Sequence, residues 1–417
     1  MNKYPIKIIL NSPVCIAQKR GMGYVIETLD YIPGSTIRGA LAMLYIRQHA
    51  VYDKTDNIWR ITDEQKQSEF DSVFNSENTR FGNCYFDGAK VVPLTASSCK
   101  YNTGFYNGDD QHGVFDTMIQ HARYELNISA NYEMPDKFEK CDGCWSVMDR
   151  FGGYYNNDGH YKSVKPSKRL IAHTAIMEST ETAMPENLFT IEVLNEKKIG
   201  TSIAQEFSGM LETESSFDVL NNLLAQNDII YIGTAKSRGL GEVRIRLMGS
   251  RANDSEMTVH ERLAELNKKL DNLGKYFFSV TLHSDAILRN EILGFKSKVD
   301  NYDLIETLEN IADPSYSPDV NMFCDTISCF RHHRDWLSTY LLTGWNMALG
   351  LPKEDEIAIC KGSVFLFCTD KTLCEKQIDN LGRMFSLIEQ GGIGERCNEG
   401  FGKIRICDEF HLEEGPK

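Results

Sequence analysis

Residues Gly391–Ile406 read GGIGERCNEGFGKIRI. Five glycines, Gly391, Gly392, Gly394, Gly400 and Gly402, fall within twelve residues, and Arg396, Lys403 and Arg405 are set among them. A helix C-cap followed by a hairpin would account for one such loop, because glycine tolerates positive φ and close backbone approach. A second copy asks for more. Gly233–Ile245 reads GTAKSRGLGEVRI, and in both stretches a glycine is followed six residues later by Gly-apolar-Gly. The matched sets are Gly233 with Gly239-Leu240-Gly241, and Gly394 with Gly400-Phe401-Gly402. Each continues into a basic-apolar strand pattern, Val243-Arg244-Ile245 and Ile404-Arg405-Ile406. Matched spacing at two places marks an internal repeat.

The flanks agree with a repeat. Before the second loop, Ile378, Leu381, Phe385 and Ile388 predict a helix. Before the first, Phe217–Ala225 predicts a short helix and Ile229–Ile232 a strand. Each unit also opens alike. In Tyr4–Val14, Ile6, Ile8 and Leu10 alternate as in a half-buried strand, closed by Ser12-Pro13. Lys275–Leu282 is a second aromatic-apolar strand, closed by Ser284-Asp285. Strand, loop-helix, strands, helix, strand is a βαββαβ, ferredoxin-like (RRM-like) plan. The expected fold is therefore α+β, with tandem ferredoxin-like units over residues 1–247 and 275–417. Between them, 248–274 is a connector whose Val259, Leu263, Leu266, Leu270 and Leu273 predict an amphipathic helix.

Tyr31–Leu41, YIPGSTIRGAL, opens the first unit's helix. Pro33-Gly34 makes a turn, and Ser35 or Thr36 is a candidate N-cap. Ile37, Leu41, Leu44 and Gln48 are expected to share a face, with Tyr45 beside it. Gly39 inside the helix is expected to serve close packing, since glycine there costs about 1 kcal/mol against alanine. Arg38 in the first turn is either solvated or aimed at a phosphate sharing the helix N-terminus. Residues 52–80 read as polar helix and loop, 81–96 as strand, and Ala358–Cys368 as one strand.

With 417 residues, 41% of them hydrophobic and 25% charged, the composition is that of a soluble globular chain with room for two cores. No apolar run reaches the ~18 residues of a membrane span, and the N-terminus lacks a signal-peptide core, so a cytoplasmic protein is expected. The net charge of −14 argues against non-specific nucleic-acid coating but permits a local basic groove.

Residues 97–165 interrupt the repeat. Rich in Asn, Gly, Asp and Tyr, they need a staple other than a core. Cys141-Asp142-Gly143-Cys144 is half of a zinc site, and Cys99 with His112 could complete a tetrahedral Cys3His set. His121, His160 and Cys84 are rivals for the fourth place. The remaining cysteines of the twelve read mostly as small buried hydrophobes. Lys162, Lys165, Lys168 and Arg169 form a basic cluster leading into a strand with His173, read as a core-side histidine. Residues 185–194 predict a further strand. Arg331, His332, His333, Arg334 and Trp345 place charge beside aromatics, which suits nucleic acid and equally a solvated strand face. Neither glycine loop matches GxxxxGK[ST] or GxGxxG, so nucleotide hydrolysis has no motif here.

YIPGSTIRGALA, the HTAI strand and both glycine loops, NEGFGKI above all, resemble the RAMP superfamily of CRISPR systems. Two such units, a cysteine-bearing insertion after PLTASSCK and the GIGERCNEGFG ending are similar to the large RAMP subunit of type III-D effector complexes (the Csx-ten-like family). That resemblance covers most of the chain. It implies a crRNA-binding structural subunit of a ribonucleoprotein that caps the 5′ handle and contacts the large polymerase-like subunit and the backbone RAMPs, with target RNA close by. It places Ser35, Thr36 and Arg38 at RNA phosphates, and brings Gly233, Gly239, Gly241, Gly400 and Gly402 to the RNA through backbone N–H groups. Lys236, Arg238 and Arg396 would assist, with Lys19 and Arg20 in the loop after the first strand. The first glycine loop, with two cations between its glycines, is the stronger candidate for RNA, and the second is expected to share in domain packing. No catalytic residue is expected. Processing RAMPs use a general base, for which His332-His333 is the alternative candidate. Backbone RAMPs cut with an aspartate after the first strand. Ser12–Gly23 holds none, and Asp30 lies beyond it.

Overall fold

Two antiparallel sheets carry this mixed α+β chain, and both have the same strand order. The computed structural model describes residues 1–17, 25–55, 58–106, 108, 112–127, 139–177, 179–249, 257–270, 275–311, 317–346, 351–413 and 417. Lys19, Arg20 and Leu273 lie outside them.

In the first sheet, Glu242–Leu247, Asn2–Leu10, Glu206–Thr213 and Thr79–Phe81 lie side by side. Counted along the chain this is the order four-one-three-two. Ile230–Tyr231 extends one edge, and Tyr85–Phe86 pairs with Glu206–Thr213. In the second sheet, Ile404–Ile406, Tyr276–Leu282, Val364–Thr369 and Arg331–Trp336 repeat that order. Helix Gly34–His49 follows the first strand of one unit, and Asn301–Ile311 with Ser317–Ile327 follows that of the other. Helices Phe217–Ala225 and Glu375–Gly391 follow the third strands.

Each sheet has its own core. Ile6, Ile8 and Leu10, alternate residues of one strand, are buried with Ile37, Leu41, Tyr45, Phe207 and Leu220. Phe277, Phe278, Val280, Phe365 and Phe367 are buried with Leu304, Phe323, Leu381 and Phe385. Val364–Thr369 is buried at every residue, which is why its sequence shows no alternation. The connector helix is Val259–Leu270, and its Val259, Leu263, Leu266 and Leu270 join the second core. Within the insertion, helix Met118–Asn127 sends Met118, Ile119 and Ala122 into that same second core, although the insertion interrupts the first unit in sequence.

Several local expectations change. The first long helix begins at Gly34 after Pro33, with no side-chain cap, so Ser35 and Thr36 lie inside its first turn. Its free N–H at Gly34 is met instead by Asn83 Oδ1 at 2.9 Å. The glycine that packing requires is Gly34, where a Cβ would fall 1.7 Å from the Phe81 carbonyl oxygen, whereas at Gly39 it would meet nothing. Leu44 is only half-buried and Gln48 is exposed, because Gly34, Ile37, Leu41 and Tyr45 form the inward stripe. Residues 52–80 contain a hairpin, Val51–Asp53 with Ile58–Arg60, before helix Glu64–Phe70. Residues 81–96 hold only short strands, Tyr85–Phe86 and Lys90–Val91. Ala358–Cys368 is two strands, Glu356–Ile359 and Val364–Thr369, divided at the Gly362 turn where φ is +84°.

Candidate nucleic-acid interface and metal centre

The two glycine loops share one hydrogen-bond skeleton. In the first, Thr234 N–H donates to Cys15 O at 2.9 Å, Gly241 N–H to Pro13 O at 2.8 Å and Ile232 N–H to Gly241 O at 2.9 Å. In the second, Glu395 N–H donates to Ile287 O at 2.9 Å, Gly402 N–H to Asp285 O at 2.8 Å and Ile393 N–H to Gly402 O at 2.9 Å. The hydroxyls of Ser12 and Ser284 accept equivalent amides, from Glu242 and Lys403, both at 2.8 Å. Each loop passes through one left-handed non-glycine residue, Ala235 (φ 56°) or Arg396 (φ 60°), into a single 3-10 turn. Gly233 and Gly394 both have φ +76°, and at each a Cβ would sit 2.2 Å from a carbonyl oxygen of the opening strand's exit. Only glycine fits there.

The amides of Gly239, Gly241, Gly400 and Gly402 all donate inside the fold. The N–H phosphate cradle expected of these glycines is therefore already used, and closure of the loop, not ligand approach, requires them. What faces outward differs between the copies. Lys236, Ser237, Arg238 and Gly239 are exposed, with the Arg238 guanidinium over the Phe189 ring. Burial of its stem and the neighbouring Arg47 charge hold Lys236 below the ordinary lysine pKa, so an anion placed between the two cations would be favoured. In the second copy, Glu399 takes the corresponding place. Arg396 and Lys353 pair with its Oε2 and Arg38 with its Oε1 at 3.1 Å. Arg396 also bonds Glu356, and Arg38 the carbonyl of Phe74. Burial would raise Glu399, but Arg396, Lys353 and Arg38 hold it below the ordinary glutamate value. Thus Arg38 and Arg396 are already engaged with one carboxylate.

A hairpin stands beside each loop. Val14 and Leu194 exchange backbone bonds at the base of Lys168–Met177 and Thr182–Leu194, as Ala286 and Ile359 do at the base of Thr339–Leu342 and Glu356–Ile359. His173 stacks on Phe189 within the first hairpin. Lys168 there pairs with Glu192 at 3.1 Å and with Asp30, and Arg169 with Glu196 at 2.9 Å.

Cys99, His112, Cys141 and Cys144 come together, their ligand atoms all within 4.8 Å of one another. Cys99 ends a strand, Ala96–Cys99, paired with Val114–Asp116 and Met148–Arg150, so three strands hold the four residues in place. Cys99 Sγ lies 3.6 Å from Cys144 Sγ, and His112 Nδ1 3.1 Å from Cys141 Sγ. A tetrahedral ion with bonds of about 2.3 Å sets its sulfur ligands about 3.8 Å apart, so this spacing can hold a metal. The Asn102 side-chain amide lies 2.9 Å from Nε2, while Nδ1 is turned toward Cys141. Burial opposes ionisation of Cys99, but the Ser146 hydroxyl and nearby backbone amides bring its thiol down to about 6. The rivals are elsewhere: Cys84 is buried in the first core, His121 sits near Trp336, and His160 is exposed.

His332 and His333 each face protein groups on neighbouring elements. His332 Nε2 faces Val299 O at 2.6 Å and its Nδ1 Asp335 at 2.7 Å, while His333 pairs with Glu125 of the insertion helix at 3.1 Å. Burial keeps His333 below the ordinary histidine value; His332 is raised, with Asp335 and the Val299 carbonyl outweighing burial.

Solved structures that overlay on the chain include a subunit of the type III-B Cmr-beta complex bound to cognate target RNA. It is 13% identical over 87% of this chain and 86% of that one, with a TM-score of 0.39. The same complex with AMPPnP gives 12% over 87% and 86%, at 0.37. A Cas6 product complex gives 8% over 97% and 98%, at 0.38. No curated protein matches the sequence. The family model for the RAMP superfamily matches residues 21–244, more than half the chain, from the loop after the first strand through the whole first glycine loop. With that loop and its twin built on one skeleton, the chain belongs to the RAMP superfamily.

Proposed function

We propose that this chain is a non-catalytic crRNA-binding subunit of a cytoplasmic type III CRISPR effector complex, III-D-like, seated at the 5′ handle against the large polymerase-like subunit and the backbone RAMPs. The observation that carries it is the exposed Lys236–Arg238 tip beside Arg47 in a chain of this family. Cations on a rigid loop bind phosphates without reading sequence. The four-one-three-two strand order in both sheets supports two ferredoxin-like units joined by the Val259–Leu270 helix, and the closed Cys3His set supports a structural zinc ion rather than a catalytic one.

Purification with its co-transcribed neighbours and sequencing of the bound RNA tests the reading. Repeat-derived handle RNA is the expected outcome; random cellular RNA, or none, overturns it. For the metal, one zinc per chain should survive dialysis and be lost in Cys144→Ser, and a metal-free wild type would refute the centre.

A further inference from the structure

Lys168–Met177 is an edge strand. Its sheet runs in the order Lys168–Met177, Thr182–Leu194, Val25–Ile26, so the long strand is bonded along one side and open along the other. Among the described residues, no backbone outside the hairpin bonds to the stretch 169–176. The two faces of the strand differ. Ile171 packs with Phe189 and Ile191 on the cluster of Cys15, Val193 and Leu240, and His173 stacks on the Phe189 ring. Leu170, Ala172, Thr174 and Ile176 point the other way and are exposed. Leu170 and Ile176 are each 64% exposed, and Leu188, which lies across from Thr174, is 59% exposed.

Open edges are ordinarily guarded by a charge, a proline or a very short strand, because a row of unpaired N–H and C=O groups invites another strand. None of these guards is present: from Leu170 to Met177 there is no Asp, Glu, Lys, Arg or Pro. A hairpin also gains stability from added strands, since two alone are marginal. Row direction and alternation therefore call for an uncharged strand with apolar residues at every second position.

The strand itself meets that description. Laid antiparallel on its own copy with a two-fold axis at His173, it sets Leu170 opposite Ile176 of the second copy and Ala172 opposite Thr174. On the other face Ile171 comes opposite Ala175. Each pair joins apolar or small uncharged residues, and both faces keep their sides. An axis at Ala172 would instead set Lys168 against Ile176, and one at Thr174 would carry Leu170 past the end of the strand at Met177. One register is thus preferred, and it is isologous, so it closes as a dimer.

We infer that Lys168–Met177 pairs edge to edge with the same strand of a second copy, forming one four-stranded sheet across a two-fold axis at His173. The inference does not rest on the RNA-binding reading and can fail without it.

Sedimentation velocity of the full chain tests it over about 1–100 μM, where a single strand pair of small area should associate. A monomer–dimer shift is expected. Thr174→Lys, at an exposed position, sets two lysines beside the axis and should weaken the dimer about tenfold. Register is read by mixing Leu170→Cys protein with Ile176→Cys protein under mild oxidation and identifying the joined peptides by mass. Position 170 should join 176 of the other protein, whereas 170 should not join 170, since those positions lie about 20 Å apart. A chain that stays monomeric throughout overturns the inference. So does a dimer indifferent to Thr174→Lys, or one in which 170 and 176 do not join, because another face then makes it. A monomer whose 168–177 amides become protected from hydrogen exchange only when RNA or a co-transcribed subunit is added also overturns it, and gives the edge to that partner.

Discussion

The two glycine loops have the same backbone and opposite surroundings. Loop 233–241 ends in open solvent: a Cβ on Gly239 would touch nothing. Loop 394–402 is driven against the first unit: a Cβ on Gly400 would sit 2.8 Å from the Phe81 carbonyl oxygen and from Asn83 Oδ1. Where the open copy carries Lys236 and Arg238, the packed copy carries Cys397 and Glu399, and the latter collects three cations from two units. One backbone device thus yields an exposed basic tip in one place and an inter-unit clasp in the other. A loop whose hydrogen bonds are all internal leaves its side chains free to be assigned to either task.

The largest expected effect concerns what the loops share. Gly233→Ala and Gly394→Ala should each destabilise the protein by at least about 3 kcal/mol, since both force a Cβ onto a backbone carbonyl at positive φ. Equilibrium denaturation checks this, and a loss under about 1 kcal/mol in either would show that the skeletons are not equivalent. Next comes what they do not share. Gly400→Ala should cost about 2–3 kcal/mol and Gly239→Ala only about 1 kcal/mol, the latter from left-handed backbone alone; equal costs would erase the distinction between packed and open copies.

Function should divide the same way. Lys236→Glu with Arg238→Glu should weaken RNA binding and reduce the salt slope by about 1.4, at about 0.7 per phosphate for single strands. Filter binding across a salt series measures this, and an unchanged slope would remove the tip from the interface. The smallest effect is in pH. Glu399 is depressed when folded, so its pairing stabilises the protein above the ordinary glutamate pKa of 4.5 and is lost as pH falls through the lower folded value. Glu399→Gln should flatten the acid side of the stability curve by about 1–2 kcal/mol, whereas Arg238→Gln should leave it unmoved.

How much of this was legible beforehand follows from how local each feature is. Strand alternation in Ile6, Ile8 and Leu10, the connector's Val259, Leu263, Leu266 and Leu270, and the repeat of Gly-x5-Gly-x-Gly are set by neighbours within a few residues, so sequence alone determined them. The meeting of Cys99, His112, Cys141 and Cys144 was readable in part, because the insertion has few residues of those types, but His121, His160 and Cys84 stood as rivals for one place until the fold set them elsewhere. Pairing across long separations was not readable. Gly39 looked like the packed glycine, yet the close approach falls at Gly34, and which carbonyl arrives there depends on the Phe81 strand. Arg38 read as either solvated or aimed at a phosphate until tertiary structure placed it on Glu399, 361 residues away in sequence. The insertion at 97–165 read as part of the first unit and showed no helix, but Met118, Ile119 and Ala122 of its helix are buried in the second core. Backbone closure is governed by local φ and by glycine spacing, which a sequence displays. Which charge meets which, and which core receives an inserted helix, is decided by surfaces that meet only once both units have folded.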